Sequence, residues 1–262
     1  MTSKFIFTQS LPRDTQTRSL APFTVPFRYV LTKVAPTLGL PAHISACLFD
    51  LDGVITQTAK VHAQAWKQTF DEFRIPFEIV PDYADYVDGK PRADGVQSVL
   101  TARGIEATPE LVADIASKKD QHFLDLIHRH GVETYESSVS YIRQARAAGM
   151  KLAVVSSSKH TTEVLRAAAL DSDFDAQVDG NVAEREHLPG KPAPATYLAA
   201  ATMLQTLPAN AAVYEDALAG VEAGRAGRFG LVVGIDRAGQ ADALRAHGAD
   251  IVVQDLAQLM NS

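Results

Sequence analysis

The chain has 262 residues, a formal net charge of −6 and a hydrophobic share of 46%, which suits one or two soluble domains with a full core. The acidic balance argues against nucleic acid as a partner, because a phosphate backbone wants a basic face, whereas a small phosphorylated ligand needs only a few local cations. Cys47 is the one cysteine, so an internal disulfide is excluded and a thiolate metal cluster is not expected; no run of about 18 apolar residues exists, so no membrane span is expected.

Residues 1–43 differ from the rest. They hold Pro12, Pro22, Pro26, Pro36 and Pro41, the bases Lys4, Arg13, Arg18, Arg28 and Lys33, and the single acid Asp14. An acid-poor leader with Arg and Ser resembles an organelle transit peptide. The simpler expectation is an irregular surface extension. It lacks the apolar core of a secretory signal, so a cytoplasmic location is expected.

The apolar residues of 46–51 then predict a buried strand, interrupted by Asp50 and followed by Asp52 and Gly53. Two carboxylates at the end of a buried strand are costly unless something pairs with them. A metal ion would do so. One acid could then serve as nucleophile and metal ligand, the other as general acid/base.

Residues 59–135 hold no convincing strand. Val61, Ala65, Thr69 and Phe73 recur at four-residue steps, and a longer helical run from Pro109 to His130 stops at Gly131. The expected organisation is an extension (1–43), a core (44–58 and 136–262) and an all-helical insertion (59–135).

Further strands are predicted at 152–155, 211–214, 231–235 and 251–253, separated by helices near 138–148, 161–169, 194–206, 217–227 and 239–247. Alternation of this kind predicts an α/β fold with a doubly wound parallel sheet. Ligands of such sheets bind outside the carboxyl ends of the strands.

Strand 152–155 is followed by Ser156, Ser157, Ser158, Lys159 and His160. Hydroxyls and free N–H groups at a helix start form an anion site, though an ordinary helix cap reads the same way. Lys191, in Gly190-Lys191-Pro192, is either a fixed counter-charge for phosphate or a solvated loop lysine. Glu215 and Asp216 end strand 211–214, as metal-site acids or as surface acids at a helix start. Taken together, these features share one edge of the predicted sheet. Four acids without a cation would repel one another. A hard divalent cation plus Lys191 balances them, and an all-oxygen donor set points to Mg²⁺ over zinc.

The motifs D-x-D-G, S-S-S, G-K-P-A-P and E-D-A-x-A-G-V, in this order, resemble the haloacid-dehalogenase superfamily of aspartyl phosphotransferases over residues 44–262. The helical insertion resembles that family's cap. The resemblance implies that Asp50 is the nucleophile, and that Asp52 is the acid/base and gives its backbone carbonyl to Mg²⁺. Ser156 and Ser157, with Ser158 and Lys159 beside them, would bind phosphate. Lys191 would neutralise it, and Glu215 with Asp216 would complete the metal site. Acting as both acid and base implies an Asp52 carboxyl raised from about 3.9 toward neutral.

Within the superfamily, the run from Thr56 to Lys67 resembles the β-phosphoglucomutase-like subfamily. Thr58 would mark the hinge into the cap. His62 would hold Asp52 until the cap closes, unless it faces its own domain. Trp66 reads first as cap core and second as a substrate-side residue. Gly89 and Arg92 match a G-x-x-R loop whose arginine would grip a second phosphate. Lys119 matches a cap lysine that enters the site, or is a solvated helix charge. Gln57, His160 and Gly95-Val96 depart from the subfamily pattern, which puts the substrate in doubt rather than the chemistry. The second acid, Asp52, argues against true dehalogenases and phosphonatases.

The expected function is Mg²⁺-dependent phosphoryl transfer on a sugar phosphate, β-phosphoglucomutase-like. A phosphatase with the same covalent step, or a silent phospho-ligand-binding protein, are the alternatives. No nucleic-acid or membrane partner is expected, and a monomer is expected over an oligomer.

Overall fold

The computed structural model describes residues 38–260. Most of the extension expected at 1–43 therefore lies outside the described residues. Leu38 and Leu40 pack against the main apolar cluster, and the Tyr141 hydroxyl donates to Leu38 O at 2.8 Å.

Six strands form one parallel sheet: β1 (Ala46–Phe49), β2 (Lys151–Val155), β3 (Ala176–Val178), β4 (Ala211–Glu215), β5 (Leu231–Ile235) and β6 (Ile251–Val253). Their order is β3-β2-β1-β4-β5-β6. Strand side chains alternate between faces, and both faces are buried. Cys47, Phe49, Leu152, Val154, Ala212 and Tyr214 join one cluster, while Ala46, Leu48, Ala153, Val155, Ala211 and Val213 join the other. That two-sided burial is why the strands read as continuous apolar runs rather than alternating ones. The strand order reverses between β1 and β4, so a crevice opens at their carboxyl ends.

The helices are α1 (Thr58–Glu72), α2 (Arg92–Ala102), α3 (Pro109–His130), α4 (Glu136–Ala147), α5 (Thr161–Ala167), α6 (Gly180–Arg185), α7 (Ala195–Met203), α8 (Leu218–Ala226), α9 (Ala241–His247) and α10 (Ala257–Met260). A π turn spans Tyr83–Val87. The boundaries of α3 follow from its ends. The Thr108 hydroxyl accepts from Leu111 N at 3.3 Å, Pro109 takes the first helical position, and Gly131 leaves the helix at φ 73°.

Helices α1 to α3 pack on their own apolar cluster, built from Trp66, Phe70, Phe77, Val96, Leu100 and Ile115 among others. They join the sheet through a two-stranded neck. Gln57 N donates to Glu133 O at 2.8 Å, Tyr135 N donates to Ile55 O at 2.9 Å, and Thr56 bridges Thr134. The unit stands over the carboxyl ends of β1, β2 and β4. Strand β3 and helix α6 have no counterpart in the predicted pattern. Ala-Gln-Val is only three residues long and sits among Asp173, Asp175 and Asp179, so no apolar run marks it.

Candidate active site

Asp50 follows β1, Glu215 ends β4, and Lys191 reaches between them from the loop before α7. All three are buried. The Lys191 ammonium donates to the Asp50 carboxylate, to Glu215 Oε1 at 2.6 Å and to Val155 O at 3.3 Å. Burial alone would push the ammonium down, but Asp50 and Glu215 outweigh it and raise it. The solvated-lysine alternative is thereby excluded. Glu215 also accepts from the Tyr197 hydroxyl at 2.8 Å and from the N–H groups of Asp216 and Ala217 at 3.1 Å. Burial raises the Asp50 carboxyl well above the usual range, opposed by Lys191 and helped by Glu215 and Asp52.

Asp50, Glu215 and Asp216 bring one carboxylate oxygen each to within 4.8 Å of one another. Burial and the surrounding acids raise Asp216 strongly, and its Oδ1 is buried without a hydrogen-bond partner. Buried acids with an orphaned oxygen suit a hard cation. Four donors already meet Glu215, so Asp50 and Asp216 carry the freer oxygens. The Asp52 carboxylate is not among these oxygens; it is engaged by Thr58 and Ser156. Two glycines permit this crowding. A Cβ on Gly53 would lie 1.7 Å from Asp216 Oδ2, and one on Gly220 would lie 1.7 Å from Glu215 Oε1.

Asp52, two residues on, is held by the helical unit instead. The Thr58 hydroxyl, at the first position of α1, donates to Asp52 Oδ1, and Ser156 Oγ donates to Oδ2 at 3.3 Å. His62 Nε2 lies 3.3 Å from Oδ1, at ion-pair distance but outside hydrogen-bond alignment. Lys119 Nζ sits 2.5 Å from His62 Nδ1. An ammonium only donates, so Nδ1 accepts and the imidazole proton sits on Nε2, facing Asp52. Lys119 is 4% exposed and stacks over Trp66 and Phe123, so it is no solvated helix charge. Trp66 is both things expected of it: it stacks on Phe70 in the cap core and lines the cleft.

The expected rise of the Asp52 carboxyl toward neutral is not found. Burial would raise it, but His62, Thr58 and Lys119 overcome burial and bring it down to about 2. In this closed arrangement Asp52 is a carboxylate, the base form. The same contacts lower His62, through burial and Lys119, and bring Lys119 down to about 7, through burial and Arg92.

Ser157 Oγ donates to Gly89 O at 2.8 Å, tying the loop after β2 to the helical unit. Ser158 N donates to Ser156 Oγ at 3.0 Å, an ordinary turn bond beside Asp52. Arg92 opens α2, lines the cleft and pairs with Asp120 at 2.5 Å. His160 meets the same Asp120 oxygen at 2.8 Å. Two expected phosphate ligands do not line the cleft: Ser156 is buried with its Oγ on Asp52, and the Lys159 ammonium is nearly half exposed and pairs with Glu184 at 2.8 Å.

Residues with no sequence-based expectation complete the site. Asp120 joins Arg92 of the helical unit to His160 of the core. Asp88 and Tyr83 line the cleft, and burial, Glu215 and Asp52 push Asp88 up to about 7 against a bond from Tyr83. Gln240 donates to Asp216 O at 2.9 Å, and Arg237 donates to Gly53 O at 2.9 Å while stacking on Tyr135. The last two follow β5, so inspecting the end of that strand as well would have found them.

The cleft holds a cavity of about 60 Å³, space for a few waters but not for a hexose phosphate. Among the described residues no helix is long and apolar enough to cross a membrane.

The family model of the haloacid dehalogenase-like hydrolases matches residues 44–228. The chain is 45% identical over 246 residues to the β-phosphoglucomutase of Mycobacterium bovis, covering 85% of this chain and 94% of that one. It is 34% identical over 220 residues to the β-phosphoglucomutase of Bacillus subtilis, covering 82% and 92%. The solved structure of β-phosphoglucomutase from Clostridium difficile superposes with a TM-score of 0.72 at 26% identity, covering 82% of this chain and 93% of that one. Sequence, fold and the clustered acids agree: the chain is an enzyme of the haloacid dehalogenase-like hydrolase family, related to the β-phosphoglucomutases.

Proposed function

We propose that this enzyme converts β-glucose 1-phosphate to glucose 6-phosphate through a phospho-aspartate and a bisphosphate intermediate. One observation carries the reading. Two separate sets of cations serve the site: Lys191 is held against Asp50, and Arg92 and Lys119 line the cleft. A monoester phosphatase needs one phosphate grip; a mutase needs two.

Asp50, phosphorylated beforehand, gives its phosphoryl group to a sugar hydroxyl. The Asp52 carboxylate takes the hydroxyl proton as the new P–O bond forms and the Asp50 acyl phosphate bond breaks. The bisphosphate reorients, and Asp50 attacks the other phosphorus. Asp52 then returns its proton to the departing sugar oxygen. Lys191, Ser156 and the Ser157 N–H balance the charge of the moving group. Arg92 holds the resting phosphate with its guanidinium fork. Asp50, Asp216, Glu215 and the Asp52 backbone carbonyl would hold Mg²⁺, which when bound neutralises phosphoryl charge.

Because the cavity is too small for a hexose phosphate, residues 59–135 must swing about the Gln57–Tyr135 neck to admit the sugar and then exclude water. The closed bonds of Thr58, His62 and Lys119 to the Asp52 side then re-form. The reaction is placed in the cytoplasm.

The test follows glucose 6-phosphate and inorganic phosphate together, with Mg²⁺, β-glucose 1-phosphate and a trace of the 1,6-bisphosphate. Isomerisation without phosphate release is expected. Phosphate release without isomerisation would establish the second reading, a sugar phosphatase, which the hydrolase family match favours. Arg92→Ala is expected to impair the mutase reaction far more than hydrolysis of small esters.

A further inference from the structure

One carboxylate in the cleft belongs neither to the acid cluster nor to a phosphate grip. Asp88 caps the π turn Tyr83–Val87, and its N–H donates to Tyr83 O at 2.9 Å. This five-residue return brings both side chains into the lining of the cleft, where Tyr83 and Asp88 act on one another. Both line the same cavity as Asp50, Asp52, Lys119 and Asp216.

Among the described residues no lysine or arginine forms an ion pair with Asp88. The cation whose charge acts on it, Lys191, is already engaged by Asp50 and Glu215. Asp88 instead faces other acids: it is the largest charge acting on Asp216. When ionised, the Asp88 carboxylate offers acceptor oxygens only. An acceptor wall of negative charge repels phosphate. Arg92 and Lys119, the cations that suit phosphate, line the same cleft. A ligand held by them would therefore present neutral hydrogen-bond donors toward Asp88, and a carboxylate can accept from two neighbouring hydroxyls at once.

We propose that Asp88, braced by Tyr83, is a specificity-determining residue that accepts hydrogen bonds from ring hydroxyls of the sugar, selecting polyhydroxylated phosphate esters over simple ones. The inference rests on the sugar-phosphate reading above. A site that hydrogen-bonds a substrate hydroxyl rejects the analogue lacking it far more strongly than an apolar pocket rejects a methylene, because the protein's buried polar group is left unpaired.

The test compares wild type, Asp88→Ala, Asp88→Asn and Tyr83→Phe. Substrates are β-glucose 1-phosphate, its singly deoxygenated ring analogues, and acetyl phosphate, which has no ring. Asp88→Ala is expected to lower kcat/KM on the sugar phosphate about 10- to 100-fold more than on acetyl phosphate. Tyr83→Phe, which keeps the ring and loses only the brace, is expected to show a smaller loss of the same selectivity. One deoxy analogue should already be poor with wild type and lose nothing further with Asp88→Ala. Equal losses on sugar phosphate and acetyl phosphate would overturn the proposal, as would one uniform loss across all deoxy analogues. Mg²⁺ binding weakened tenfold or more in Asp88→Ala, measured calorimetrically without substrate, would assign Asp88 to the cation instead and also overturn it. If wild type hydrolyses sugar phosphates without isomerising them, the mutase reading falls on its own, and the ratio of sugar-phosphate to acetyl-phosphate hydrolysis still decides Asp88.

Discussion

Asp50 and Asp52 are two residues apart on one loop, yet their surroundings are opposite. Core residues alone hold Asp50: Lys191 and the loop after β1 crowd it, with Glu215 behind the lysine. Its carboxyl is pushed up by burial and by neighbouring acids. Asp52 is held chiefly by the helical unit, through Thr58, His62 and Lys119, and is brought down to about 2. One acid thus has a fixed environment, suited to a nucleophile that works in every half-reaction. The other is held across to the helical unit, an environment that the proposed swing of that unit would remove and restore, as suits a group that must carry a proton in one step and lack it in another.

Four changes would break or sharpen that contrast, beginning with the largest. Asp50→Asn should abolish phospho-aspartate formation and cut turnover on the order of 10⁴-fold or more, measured by steady-state kinetics and by phosphoryl incorporation. Full turnover in this variant would exclude the aspartyl mechanism. Lys191→Ala should cost about 3–5 kcal/mol of stability at neutral pH, because it strands Asp50 and Glu215 as buried acids. The loss in denaturant titrations should shrink at lower pH, where the raised Asp50 carboxyl takes up a proton, and should shrink likewise in Mg²⁺. His62→Ala should leave the core intact but lower kcat/KM for the sugar about 10- to 100-fold, the usual cost of losing a partner that orients a catalytic group. Phosphorylation of Asp50 by acetyl phosphate should suffer less. Lys159→Ala should change activity by less than about threefold, since its ammonium pairs with exposed Glu184 outside the cleft.

A pH profile probes the cap side by itself. Lys119 is brought down to about 7, so it is an ammonium below that pH and an amine above it. Only the ammonium attracts phosphate. Sugar kcat/KM should therefore fall as pH rises through about 7, and Lys119→Arg, whose charge persists, should move that limb to higher pH. An unmoved limb would remove Lys119 from the grip.

The core was legible because each of its functional residues ends or follows a strand made conspicuous by two-sided burial. Asp50, Ser156 and Glu215 could be found by asking what comes after each apolar run. Lys191 followed from the need to balance four acids. The short strand β3 was not legible, since three residues among aspartates carry no periodicity. The cap residues were harder for a different reason. His62, Arg92 and Lys119 sit on helices whose solvent and cleft faces look alike in sequence, so only a family resemblance pointed to them. Asp88 and Tyr83 depend on a π turn, and a five-residue return leaves no hydrophobic signature. The lowered Asp52 carboxyl is not legible in the sequence, because burial there brings Thr58, His62 and Lys119 close enough to outweigh it.

The contrast between the two acids can be read directly by carboxyl ¹³C NMR with aspartate labelled, following Asp52 as pH is lowered in wild type and in His62→Ala. Asp52 should stay ionised in wild type down to about pH 3 and titrate at clearly higher pH once His62 is gone. An Asp52 that titrates near neutral pH in the closed wild-type enzyme, or one indifferent to His62, would contradict the account.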